Sequence, residues 1–82
     1  MKLPRDISGD TLSRALIRYG YQVSRQTGSH FRLTSSIKNT EHHITIPLQK
    51  SLKVGTLNGI LNDIAAYLEI DKKNLIKALF GE

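Results

Sequence analysis

No cysteine occurs in this 82-residue sequence, so neither a disulfide framework nor a Cys-ligated zinc centre can staple a small core. Long apolar runs are missing too. The longest is Ile64–Leu68, far short of the roughly 20 residues a membrane helix needs. The opening MKLPRDISGD lacks the apolar stretch of a signal peptide. No internal repeat, low-complexity tract or linker interrupts the chain. Together these absences predict one cytoplasmic domain over residues 1–82, its core built from ordinary apolar packing in two or three layers.

Acidic side chains are also scarce, 7 Asp plus Glu against 12 Lys plus Arg, for a formal charge of +5. The excess is unevenly placed: residues 1–53 carry 9 basic and 3 acidic side chains, whereas residues 54–82 carry 3 and 4. Surplus positive charge suits an anionic partner, of which nucleic acid is the commonest, and equally suits an ordinary solvated surface.

Hydrophobic spacing supplies the elements. Leu12, Ala15, Leu16 and Tyr19 fall at i, i+3, i+4 and i+7, one face of a helix over about residues 9–19. Ser8 is placed as its N-cap, Ile7 as a staple onto Leu12, and Gly20 as its left-handed stop. Two alternating segments, Tyr21–Gln26 and His30–Thr34, flank Thr27-Gly28-Ser29 and read as a hairpin. A third strand, His42–Ile46, is ended by Pro47. Strict alternation turns Val23, Leu33, Ile44 and Ile46 toward a core, with His42 on their side. Gln22, Ser24, His30, Arg32, His43 and Thr45 then share an open face. Leu57, Ile60, Leu61, Ile64 and Leu68 stripe a helix over about residues 55–68. Asp71 caps a last helix with Leu75, Ile76, Leu79 and Phe80 on its apolar face. The predicted fold is α+β, in the order α-β-β-β-α-α, with a three-stranded antiparallel sheet packed on helices.

Three histidines are the side chains that titrate nearest neutrality. His30 follows the Gly28-Ser29 turn, beside Arg32. It suits a general base, and equally a plain strand histidine facing water. His42 and His43 are strand neighbours and point to opposite faces, so they cannot chelate one metal from the same side. No HExxH, GxGxxG or Walker pattern is present, no metal site is expected, and no cofactor is called for. Ser29 next to His30 is not a catalytic triad, for want of an orienting acid. Lys50 and Lys53 lead into Gly55 and Thr56 at the start of the long helix, where free N–H groups attract phosphate. Lys2, Arg5 and Arg25 extend that patch, whose other reading is a solvated charged loop.

Four stretches occur together in order: Lys2-Leu3-Pro4-Arg5-Asp6-Ile7-Ser8-Gly9, Gly28-Ser29-His30, His43-Ile44-Thr45-Ile46-Pro47 and Leu52-Lys53-Val54-Gly55-Thr56-Leu57. Over about residues 2–68 the chain resembles the HicA toxins, mRNA interferases of bacterial type II toxin–antitoxin pairs. The resemblance implies a fold like that of a double-stranded-RNA-binding domain and endonuclease activity on mRNA. It also implies an essential role for His30 and a HicB-type antitoxin that binds and covers the site. Two positions depart from the family's habit: Gln49 where a histidine is common, and Asn58 where Lys or Arg is common. On this reading His30 is the base, with Ser29, Arg32 and His43 in support and His43 as a candidate acid. Lys2, Arg5, Arg25, Lys50, Lys53, Gly55 and Thr56 would contact RNA, with no membrane or small-molecule partner. The alternative is a non-catalytic RNA-binding module of the same fold.

Overall fold

A computed structural model describes residues 3–81, and Lys2 lies outside the described residues. Its elements are α1 (Gly9–Ala15), a 3-10 turn (Leu16–Tyr19), β1 (Gln22–Gln26), β2 (His30–Ser35), β3 (His42–Pro47), α2 (Val54–Leu68) and α3 (Lys72–Phe80). The strands form one antiparallel sheet in the order β1-β2-β3. This is the α+β arrangement expected from the periodicity, a double-stranded-RNA-binding-domain order with one extra helix.

The helix ends form where their sequences dictate. Ser8 Oγ accepts from the Thr11 N–H at 2.9 Å, and the Asp71 carboxylate accepts from the Lys73 N–H at 3.1 Å, each satisfying a donor that the first turn leaves unpaired. Gly20 stops the first helical segment at φ 81°, a conformation nearly free of cost only for glycine. The expected helix over residues 9–19 is thus present, but its last four residues tighten to 3-10 geometry.

One core joins the layers. Leu12 and Leu16, Tyr21, Leu33, Ile44 and Ile46, then Leu57, Leu61 and Ile64 are buried together, and α3 adds Leu75 and Ile76. Each such side chain contributes about 1.5–3 kcal/mol by leaving water. Beyond its apolar face, α3 is held by Lys72 Nζ donating to Asn58 Oδ1 and by Arg18 donating to the Ala78 carbonyl. Asn58 therefore faces the last helix.

Gly9 fixes how α1 meets the sheet. A Cβ there would lie 2.0 Å from the Pro47 carbonyl oxygen, and the Gly9 N–H donates to the Gln49 carbonyl at 3.0 Å. Glycine is required because the helix start presses directly on the end of β3.

The expectation for Val23 needs correction. It pairs with Leu33 on the core side, yet it is 48% exposed, because β1 is the outermost strand and the helices do not reach over it. A β-bulge between Val23 and Arg25 also breaks the alternation: Val23 pairs with Leu33 but Arg25 pairs with Arg32. One extra residue shifts the phase, and Arg25 joins the open face instead of following Val23.

Candidate nucleic-acid interface and catalytic site

The Thr27–His30 turn is cross-tied by its own threonine. Thr27 N–H donates to the His30 carbonyl at 2.9 Å, while Thr27 Oγ1 accepts from the His30 N–H at 3.1 Å. The Leu48 N–H donates to the Ser29 carbonyl at 2.8 Å, anchoring the turn to the segment leaving β3. His30 sits opposite Pro47 in the β2–β3 register. It is exposed, and its Nδ1 lies 2.8 Å from Ser29 Oγ. When Nδ1 carries the proton and donates to Ser29 Oγ, Nε2 keeps its lone pair and can accept a proton.

A shallow open-face depression of about 190 Å³ is lined by Arg25, Thr27, His30, Arg32 and Thr45. Arg32 lies two residues from His30 on the same strand face, about 7 Å along it. Arg25 stands across from Arg32 because of the bulge. The ion pairs among the described residues are Asp10–Arg14, Lys38–Glu69 and His43–Glu41, so both guanidiniums are available to an outside anion. From the sequence Thr27 was named only as a turn residue and Thr45 only as an open-face residue, neither as part of a site. A threonine just ahead of Gly-Ser was the available signal for the first, since its hydroxyl can bond the backbone two or three residues on.

His43 does not join this group. It pairs with Thr34, four β2 residues from His30, which places it about 13 Å away on the same face. Its Nδ1 is 2.8 Å from Thr34 Oγ1, and Thr34 Oγ1 is 2.9 Å from Ser24 Oγ. The expectation that His43 assists His30 is corrected accordingly. His42 turns to the core side. Its Nδ1 is 2.6 Å from Tyr21 Oη, and its ring stacks on Tyr67 at 4.6 Å and 11°. Burial pushes the Tyr21 phenol well up, so the phenol keeps its proton while its Oη shares a hydrogen bond with His42 Nδ1. Burial also holds His42 below its ordinary value, against the opposing charge of Asp63 and with a smaller push from His43.

Of the remaining basic candidates, Arg5, Lys50 and Lys53 border the His30 end of the sheet. Leu52 N–H donates to the Ile7 carbonyl at 2.7 Å, and Ser51 Oγ to Asp6 at 3.3 Å. The segments carrying Arg5, Lys50 and Lys53 are thereby tied side by side, next to the Ser29–Leu48 bond. Lys53 is the N-cap of α2 and offers no side-chain cap. The first helical bond is from Leu57 N–H to the Lys53 carbonyl at 2.9 Å, so the N–H groups of Val54, Gly55 and Thr56 have no partner within the helix. No group of three His, Cys, Asp or Glu side chains that could hold a metal occurs among the described residues. Among the described residues, no helix is long and apolar enough to cross a membrane.

With this geometry in place, comparison with known proteins decides the family. Residues 9–65 match the family described as the HicA toxin of bacterial toxin–antitoxin pairs, more than half of the chain. The chain belongs to the HicA toxin family. Neither the curated proteins nor the solved structures gave a match. The matched span of this HicA chain covers α1, the whole sheet and most of α2, and therefore every residue of the His30 depression. Arg5 and α3 fall outside it.

Proposed function

We propose that this HicA-family chain is an endoribonuclease toxin acting on mRNA in the cytoplasm and silenced by a HicB-type antitoxin. The observation that carries the reading is the meeting of His30 with two guanidiniums, Arg25 and Arg32, in one open depression, neither of them in an ion pair among the described residues. His30 Nε2 takes the proton of the ribose 2′-hydroxyl. The freed oxygen attacks the adjacent phosphorus, the bond to the 5′-oxygen breaks, that oxygen takes a proton from solvent water, and a 2′,3′-cyclic phosphate and a 5′-hydroxyl end result. A positioned base of this kind contributes about 10²–10⁴ in rate. Arg25 and Arg32 stabilise the charge that grows on the non-bridging oxygens. Lys2, Arg5, Lys50, Lys53 and the free N–H groups at Gly55 and Thr56 hold flanking phosphates.

Cleavage of a defined RNA by purified protein tests this. The expected ends are 2′,3′-cyclic phosphates formed in the presence of EDTA, and His30→Ala is expected to lose cleavage by about 10²-fold or more while retaining RNA affinity. His43→Ala is expected to cleave normally. Products with 3′-hydroxyl ends, or complete inhibition by EDTA, would sink this mechanism. A wild-type protein that binds RNA without cutting it would instead establish the non-catalytic module.

A further inference from the structure

Of the two edge strands, β1 and β3, β1 is the one whose residues are all exposed. It has β2 on one side and no strand on the other. Such an edge turns a row of N–H and C=O groups toward solvent, a template for an added strand. What flanks the edge differs on the two faces. On the helix side lies a groove of about 350 Å³ between the α1 segment and β1, with Phe31 and Leu33 in its lining and Ile17 and Val23 at its rim. Ile17 is 63% exposed and Val23 48%. On the open side, the bulge sets Arg25 beside Arg32, and neither takes part in an ion pair among the described residues.

A strand sends successive side chains to opposite faces. One that paired with β1 and alternated apolar with acidic residues would fill the groove with one set and meet the guanidiniums with the other. We propose that β1 is the docking edge for an extended, alternating acidic–apolar segment of a partner protein, which adds to the sheet as a fourth strand. The proposal rests on reading the chain as the toxin of a pair, and gives its inhibitory partner a binding mode: the carboxylates occupy the cations that RNA needs. A second copy of this chain fits less well. β1 carries Arg25 and no acidic residue, so two β1 strands would bring like charges together.

The test uses the full chain, isotopically labelled for amide NMR, titrated with a capped seven-residue peptide alternating glutamate and valine. A lysine–valine peptide is the control. The expected result is saturable shifts centred on residues 22–26 and on the amides around Ile17, with at least tenfold weaker binding of the lysine peptide. Ile17→Asp should weaken the glutamate peptide tenfold or more and leave RNA cleavage unchanged. Three results overturn the proposal: equal binding of both peptides, shifts confined to the His30 depression and indifferent to Ile17→Asp, or β1 shifts that depend on protein concentration without peptide. The shifts require no catalysis, so absent peptide binding counts against the docking edge, whereas absent cleavage by wild type counts against the nuclease.

Discussion

Replacing Gly9 with alanine should destabilise this domain, while the same change at Gly59 should stabilise it. At Gly9 the new methyl would start 2.0 Å from the Pro47 carbonyl oxygen, whereas a comfortable carbon–oxygen contact is about 3.3 Å or more. Backbone meets backbone here, so α1 and the end of β3 must separate by more than about 1 Å. Overpacking of this kind costs about 1–3 kcal/mol, and stretching the Gly9–Gln49 hydrogen bond adds about 0.5–1.5 kcal/mol. The better helix propensity of alanine returns at most about 1 kcal/mol. A net loss of about 2–3 kcal/mol follows, lowering Tm by roughly 10–20 °C in a domain of this size. Gly59 is exposed in mid-α2 with nothing within 4 Å of an added Cβ. There alanine should add about 0.5–1 kcal/mol and raise Tm by roughly 3–6 °C. Urea and thermal unfolding followed by circular dichroism measure both. A Gly9→Ala protein within about 0.5 kcal/mol of wild type, with Gly59→Ala behaving the same way, would refute the argument that close approach governs the first site.

Further outcomes follow from the same contacts. Glu69 ends α2 at φ 58°, so Glu69→Gly should stabilise by about 0.5–1 kcal/mol; its 3.5 Å surface pair with Lys38 is worth too little to reverse the sign in a denaturation curve. Tyr67 Oη accepts from the Lys38 N–H at 3.1 Å and donates to the Thr40 carbonyl. Tyr67→Phe should therefore cost about 1–2 kcal/mol and speed amide exchange over residues 36–41, and unchanged exchange there would contradict it. His42 is held below its ordinary 6.5 chiefly by burial, so between the two values the unfolded chain binds more protons than the folded one. Its contribution is complete above about pH 6.5 and lost as pH falls through that value toward the folded one. Urea midpoints from about pH 7.5 to 5.5 should thus fall more steeply in wild type than in His42→Phe, and equal slopes would tell against it.

How much of this could be read from the chain depends on the distance over which each feature is decided. Helix positions were legible because the stripe in α2 and the caps at Ser8 and Asp71 are set by residues within one or two turns. The hairpin was legible from Gly28-Ser29 between two alternating segments, and with it the exposure of His30 beside Arg32. The bulge was not. No glycine or proline marks Ser24, and the extra residue shows only once β1 is paired against β2; Arg25 was named as a basic residue, but its place beside Arg32 came from that pairing. The exposure of Val23 escaped for a similar reason, since alternation gives the side of the sheet and not whether a helix covers it. The Tyr21–His42–Tyr67 contacts join residues far apart in the chain, so no local pattern announced them. His43 was overvalued because sharing a face says nothing about separation along the strand.

The bulge also means that charge composition and charge display are separate properties of this molecule. The same residues paired without a bulge would keep the formal charge at +5. With Val23 opposite Leu33, Ser24 would then stand opposite Arg32, and Arg25 would stand opposite Phe31 on the core side. The isoelectric point is the same in either register, although only the bulged one sets Arg25 beside Arg32 next to His30. Among sequences of this kind, the pairing register of the first strand is therefore a more telling quantity than the number of basic residues.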